Sequence, residues 1–513
     1  MTATTLPLRP LTAAGRITCI LALLLLAGAN LSGQQAASAA GASTAGNDAA
    51  ASSWKDIRIP PLPKWTPAQP KRIQLANGMV IFLLEDHELP LINAHAMIRG
   101  GSRSEPAGKS GMLEIYGDVW RTGGTGKMTG DQMDDYLEAR AAKLETNDSS
   151  DNTSISLDCL KGDFDDVFRL FLDLLHDPAF REDKIELAKN ELNTTIARRN
   201  DRSRGIADRQ ARKLAYGRNN PYAREPQYAT VAAVTRADLL SWYRQHVAPN
   251  NMILGMVGDF NSAEMEKKLR DAFAGWPRGP QVRKPDIPLQ PAKPGLYVID
   301  KPDVNQSDIR FVTLGIERSN PDYFASQVMN QILSGGFTSR LMADLRTKRG
   351  LAYDVGGRLG ADWDHPGIFY LTIATKTAST VEAIEGMRQE MAKLKTDPPS
   401  ESELKFAKEA ILNSFIFHFD TPTKVLRERL TYEFFGYPLN FLEISRDKIE
   451  KLTVQDVNRV IQKYVHPEQF AVLVVGNTKE FQTSLAALGP ATKLGVADET
   501  PTTGAAEAAP GRR

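Results

Sequence analysis

The sequence predicts an α+β fold built as two similar halves, and three features carry that prediction. Thr235-Arg236-Ala237-Asp238 through Val247-Ala248-Pro249 returns as Thr453-Val454-Gln455-Asp456 through Val465-His466-Pro467, at a constant offset of 218 residues. An interval that long marks a duplicated domain, since solenoid repeats run roughly 20 to 50 residues. Strand-like and helix-like segments mix without a regular βαβ alternation, which favours α+β. Between the halves, Arg278 to Gly295 carries prolines at 280, 285, 288, 291 and 294. Prolines at that density disfavour helix and central strand alike, so this stretch reads as an extended connector.

From the start of the chain, Arg9 and Arg16 precede an uncharged apolar run, Ile17 to Ala29, with Ala37-Ser38-Ala39 beyond it. This is the pattern of a cleavable export signal, and the run is shorter than the roughly 20 residues that span a bilayer. A periplasmic protein with no stable membrane span after signal removal is therefore expected. The predicted segments are a signal over 1–40, a mobile stretch over 41–70, a first domain over 71–277, the connector over 278–295, a second domain over 296–490 and a disordered tail over 491–513.

Removing the signal leaves Cys159 alone, so no internal disulfide can form and the cores must hold the chain together. The 63 basic and 62 acidic residues leave no bias toward nucleic acid or anionic membranes, and no nucleic-acid partner is expected. In the first half, 72–84 and 91–99 read as strands around the turn signals Asn77-Gly78 and His87 to Pro90. Helical apolar spacing follows over 111–121, 129–143, 164–175 and 182–199, interrupted by the alternating strand Ser154-Ile155-Ser156-Leu157.

The most informative run lies in the second half, Leu333 to Gly357. Gly335-Gly336 breaks one helical pattern, Ser339 to Arg346 resumes it, and Leu351 to Val355 has strand character after Gly350. Arg346 would close a helix and Tyr353 would sit on a strand. Read singly, they fit a dipole-favoured terminal arginine and a half-buried aromatic. Brought together, a guanidinium and a phenol offer hydrogen-bond donors to a carbonyl or a developing oxyanion.

The run SGGFTSRLMADLRTKRGLAYDV resembles the C-terminal half of the M16 (pitrilysin or insulinase-like) metallopeptidases, where SRL-x-x-x-LR-x-x-x-GLAY is typical. The resemblance covers Ile73 to Leu488. It implies two homologous domains, each a mainly antiparallel sheet with helices on one face, arranged as a clamshell. It also implies that Arg346 and Tyr353 bind substrate and stabilise the transition state. Backbone amides near Gly335 and Gly336 are the candidates to hold an extended substrate as an added strand.

Members of that family carry H-x-x-E-H on a helix of the first domain, because residues at i, i+3 and i+4 share one helical face. The matching region here is Gly111 to Val119, in which Glu114 and Asp118 stand at the histidine positions and Gly117 at the general base. The distal glutamate position, 77 residues after Asp118, is Thr195. No metal ligand set is expected. A carboxylate cage of Glu114, Asp118 and Glu191 for a hard cation is the alternative to three solvated carboxylates, and it would still lack a base.

The resemblance thus implies a zinc-less subunit, inactive alone, that gives Arg346 and Tyr353 to the zinc site of an H-x-x-E-H partner chain for hydrolysis of peptide substrates. The competing expectation is a non-catalytic pseudo-peptidase acting as a periplasmic peptide-binding or scaffold protein.

Overall fold

Asn77-Gly78 reverses the chain between Lys71–Gln74 (β1) and Val80–Glu85 (β2), with Gly78 at φ +93°, a conformation glycine adopts without strain. Leu91–Arg99 (β3) follows, and Ile92, Ala94, Ala96 and Ile98 alternate into the core. Then come Met112–Thr122 (α1), Gly130–Glu138 (α2), Lys143–Asp148 (β4), Asn152–Leu160 (β5), Phe164–His176 (α3), Glu182–Arg198 (α4), Ser203–Tyr216 (α5), Tyr228–Ala232 (α6), Arg236–His246 (α7), Met252–Gly258 (β6) and Ser262–Phe273 (α8). The sheet order is β1-β2-β6-β3-β5-β4, antiparallel except for β2 against β6.

This computed structural model describes residues 67–496. The expected export signal, most of the stretch expected to be mobile over 41–70, and the tail beyond 496 lie outside the described residues. No helix among the described residues is long and apolar enough to cross a membrane.

The second half repeats the plan with Gly295–Asp300 (β7), Gln306–Leu314 (β8), Ile316–Glu317 (β9), Tyr323–Ser334 (α9), a π-helical turn over Met342–Lys348, Ala352–Asp362 (β10) and Pro366–Lys376 (β11). Thr380–Thr396 (α10), Glu401–Ser414 (α11), Pro422–Phe435 (α12), Phe441–Glu450 (α13), Val454–Tyr464 (α14), Ala471–Gly476 (β12) and Ala491–Lys493 (β13) complete it. The order β7-β12-β8-β11-β10 reproduces β2-β6-β3-β5-β4. The repeated motif caps a helix in each half, Thr235 pairing reciprocally with Asp238 and Thr453 with Asp456.

Each half has its own core: one gathers Ile81, Trp120, Leu144 and Phe171, the other Phe311, Leu345, Phe369 and Val474. The helices expected on one face of each sheet are there, and the opposite face is covered by a helix of the other half. Leu426 and Leu430 of α12 pack against Phe82, Ile253 and Val257 of the first sheet. Ile206 and Leu214 of α5 pack against Val312, Leu473 and Val475 of the second. Gly255 permits this approach, since a Cβ there would stand 2.8 Å from Leu430.

Two expectations are corrected. The helix expected over 129–143 stops at Glu138, because Ala141 turns at φ +48° and Lys143 enters the β4–β5 pairing. Ala491–Lys493, placed by sequence in the disordered tail, pairs in parallel with β7. The connector has no regular structure, yet it is tied down: Asn251 donates to Pro280 O at 2.8 Å, Asn220 donates to Pro288 O at 2.9 Å, and Gln290 N–H donates to Tyr216 O at 3.0 Å.

Candidate functional site

Helix α1 begins at Gly111, held at φ +97°, where the buried Glu105 carboxylate accepts from Gly111 N–H and Leu113 N–H, both at 3.1 Å. That cap fixes a helix whose inner face is Leu113, Tyr116 and Trp120, with Trp120 Nε1 donating to Leu174 O at 2.9 Å. Glu114 and Asp118 therefore point away from the core, one turn apart. Thr195, on α4, spends its hydroxyl on Glu191 O at 3.2 Å. Among the described residues, no group of three His, Cys, Asp or Glu side chains is placed to hold a metal ion. The residues at the zinc positions do not fit that metal, and Glu114, Asp118 and Glu191 do not form the carboxylate cage weighed above.

Asp148, at the end of β4, sits where sequence reasoning gave no warning. A Cβ at Gly117 would lie 2.9 Å from Asp148 Oδ1 and 3.0 Å from its backbone nitrogen. Thr146 on the same strand donates to Gly117 O at 2.6 Å. The notch left by the missing base is thus closed from within the chain. Burial pushes the Asp148 carboxyl up to about 6. Burial and the neighbouring Asp148 raise Glu114, and burial with the Glu191 charge raises Asp118 against the pull of Arg121 and Lys184. These carboxylates crowd one another.

The Arg346 corner is built differently. Helix α9 ends at Gly335, Gly336 turns at φ +103°, and the chain re-enters helix with π geometry over Met342–Lys348. Single π turns are uncommon and cluster at functional positions. This one buries Met342 and Leu345 and leaves Arg346 half-exposed. Two neighbouring arginines are held internally: Arg340 forks onto Glu403 at 2.8 and 3.0 Å, and Arg349 pairs with Asp344 at 2.7 Å. The Arg340 hydrogen bond holds Glu403 down at about 2.

Arg346 has no carboxylate partner among the described residues. Its guanidinium carbon lies 4.7 Å from the Tyr353 ring centroid and 4.8 Å from that of Phe337. Tyr353 is 84% exposed and Phe337 73%. Cation–π contact of this kind holds the guanidinium plane in place while leaving its N–H groups free to donate.

The structure therefore brings Arg346 and Tyr353 together, as their spacing suggested. It does not leave the glycine amides available. Gly335 N–H donates to Gln331 O at 2.9 Å and Gly336 N–H to Ser334 O at 3.0 Å, so neither has a proton left for a substrate strand. A Cβ at Gly335 would also lie 2.7 Å from the Gln331 Cα, so a side chain there would force the backbone to shift. Phe337 was missed, its one sequence signal being an aromatic directly after the glycine pair.

With this geometry in hand, comparison with known proteins is specific. Residues 81–225 match the insulinase (peptidase family M16) model, and residues 233–411 match the peptidase M16 inactive domain. The chain belongs to the M16 peptidase family. A Helicobacter pylori relative, named as the non-peptidase homologue YmxG, is 24% identical over 400 residues, covering 77% of this chain and 91% of that one. An uncharacterized zinc protease of Mycobacterium leprae is 23% identical over 388 residues, 73% of this chain and 84% of its own. In fold, the chain is similar to a peptidase M16 inactive domain from Pseudomonas fluorescens, with TM-score 0.72 and 23% identity over 81% of this chain and all of that one. The periplasmic protease PqqL of Escherichia coli matches with TM-score 0.68 and 16% identity, over 91% of this chain and 50% of its own.

Proposed function

We propose that this chain is the zinc-less partner subunit of a two-chain M16 peptidase, exported to the periplasm. The observation that carries the reading is the Arg346–Tyr353 corner: a half-exposed guanidinium and an exposed phenol held side by side, without internal acceptors among the described residues, in a chain whose own zinc and base positions hold Glu114, Asp118, Thr195 and Gly117. A second chain carrying H-x-x-E-H would supply the metal, the base and the attacking water.

The role of this chain's residues follows from charge development. As a peptide carbonyl becomes tetrahedral, its oxygen gains negative charge, and donors already in position stabilise that state more than the ground state. Arg346 would hold a substrate carbonyl with its fork, and Tyr353 would donate its hydroxyl to the same region. The name of the Helicobacter pylori relative supports a chain that does not cleave peptides by itself.

Metal analysis and peptidase assays on the isolated chain test the first part: neither stoichiometric zinc nor chelator-sensitive cleavage is expected. One tightly bound zinc per chain with hydrolysis would overturn the reading. Co-purification from the source followed by identification of the bound chain tests the second, an H-x-x-E-H homologue being the expected partner.

A further inference from the structure

Where β3 leaves the first sheet, its last residues meet the end of α12 and the docked connector around a cavity of about 160 Å³. Four cations line it, Arg99, Arg103, Arg283 and Lys284, against two carboxylates, Asp151 and Asp364. Both carboxylates pair with Arg103. Arg103, whose side chain is 6% exposed, donates to both oxygens of Asp364 at 2.9 Å and pairs with Asp151 at 2.8 Å. Burial works against the Asp364 charge, yet hydrogen bonds from His365 and Arg103 hold its carboxyl well below the usual range. Lys284 Nζ donates to the Asp364 carbonyl.

Arg99 has no such partner among the described residues. Its guanidinium carbon lies 4.7 Å over the Phe434 ring, and the adjacent Glu433 is already held by the fork of Arg72 at 3.0 and 2.7 Å. Burial lowers the Arg99 pKa, with Glu433 opposing the shift. Arg283, exposed on the connector, likewise has no ion pair among the described residues. A partly buried guanidinium without a counter-ion is costly, and its planar fork matches an oxyanion in both charge and shape.

We propose that this cavity binds one small oxyanion, gripped by the Arg99 fork with Arg283 as the second cation. Its size admits a single carboxylate or phosphate group. The carboxylate could come from a peptide terminus and the phosphate from solution. Because the lining comes from β3, α12 and the connector, occupancy ties the two halves together, and a ligand that binds only the folded chain raises its melting temperature.

The test is calorimetric titration of the full chain with inorganic phosphate, with a short N-acetylated peptide acid, and with the same peptide as its C-terminal amide. Saturable binding of phosphate or of the acid, weakening with added salt and absent for the amide, is the expected result. Phosphate alone would identify a free phosphate site, and the acid alone a peptide terminus. Arg99→Gln should weaken the bound species by about tenfold or more. Arg283→Gln, on an exposed segment where folding is not at stake, should weaken it by a smaller factor. No binding of either anion at millimolar concentration, or equal binding by wild type and the Arg283→Gln chain, would overturn the proposal.

Discussion

The same corner occurs twice in this molecule and is finished in opposite ways. In the first half, α1 runs through Gly123-Gly124 into α2 and then β4. In the second, α9 runs through Gly335-Gly336 into the π turn and then β10. Around the first corner the arginines and the turn carbonyls meet partners from their own chain. Arg181 donates to Gly123 O and Thr125 O, Ala179 N–H donates to Gly124 O at 2.9 Å, and Arg121 is taken by Asp134 and Leu144 O. Around the second, Arg346 lies between the exposed rings of Phe337 and Tyr353 and has no ion pair among the described residues. Duplication supplied the geometry twice. Internal hydrogen bonds close one copy into a structural joint, whereas in the other they hold the glycine amides, Arg340 and Arg349 but not Arg346 and Tyr353.

That contrast can be broken by substitution, starting with the largest expected effect. Arg181→Met should destabilise the chain by about 2–3 kcal/mol, since it orphans carbonyls that now accept charged hydrogen bonds; denaturant unfolding would measure it. Gly117→Glu should cost about 1–3 kcal/mol, because its Cβ enters space that Asp148 fills and adds a like charge. Combining it with Asp148→Ser should recover part of the loss, and an unchanged cost would show that Asp148 is not the obstacle.

Asp148→Asn sharpens the same point through pH. The folded chain holds the Asp148 proton up to about pH 6, whereas an unfolded aspartate releases it near 3.9. Wild type therefore keeps this contribution at low pH and loses it as pH rises through that window. Near pH 7 the Asp148→Asn chain should be more stable than wild type by about 1–2 kcal/mol, allowing for solvent access, and the gain should vanish below pH 4. A gain independent of pH would contradict the buried-charge account. The smallest effect is expected at the open corner: Tyr353→Phe and Arg346→Gln should each change stability by less than about 0.5 kcal/mol.

How far these features could be read beforehand follows from what kind of contact makes each. The α+β class was legible from local periodicity, the duplication from a motif that returns at a constant offset, and the Arg346–Tyr353 pair from the resemblance of the run that carries it. Asp148 was not, because the segment Leu144 to Asp148 looks like an ordinary half-exposed strand until β4 is laid beside α1 and its last carboxylate meets Gly117. The exchange of α5 and α12 was hidden for a related reason: an amphipathic pattern shows that a helix has a buried face without saying which sheet covers it. The glycine amides were misjudged because sequence marks a turn but not where its N–H groups donate.

The account stands or falls on turnover by the two-chain enzyme carrying Tyr353→Phe or Arg346→Gln, with stability and subunit association measured alongside. Loss of one preorganised donor typically costs about 100- to 1000-fold in rate. The account predicts a fall of that size in kcat with assembly and unfolding midpoint unchanged. Wild-type rates from normally assembled complexes would make the corner structural, and the chain a peptide-binding or scaffold protein instead.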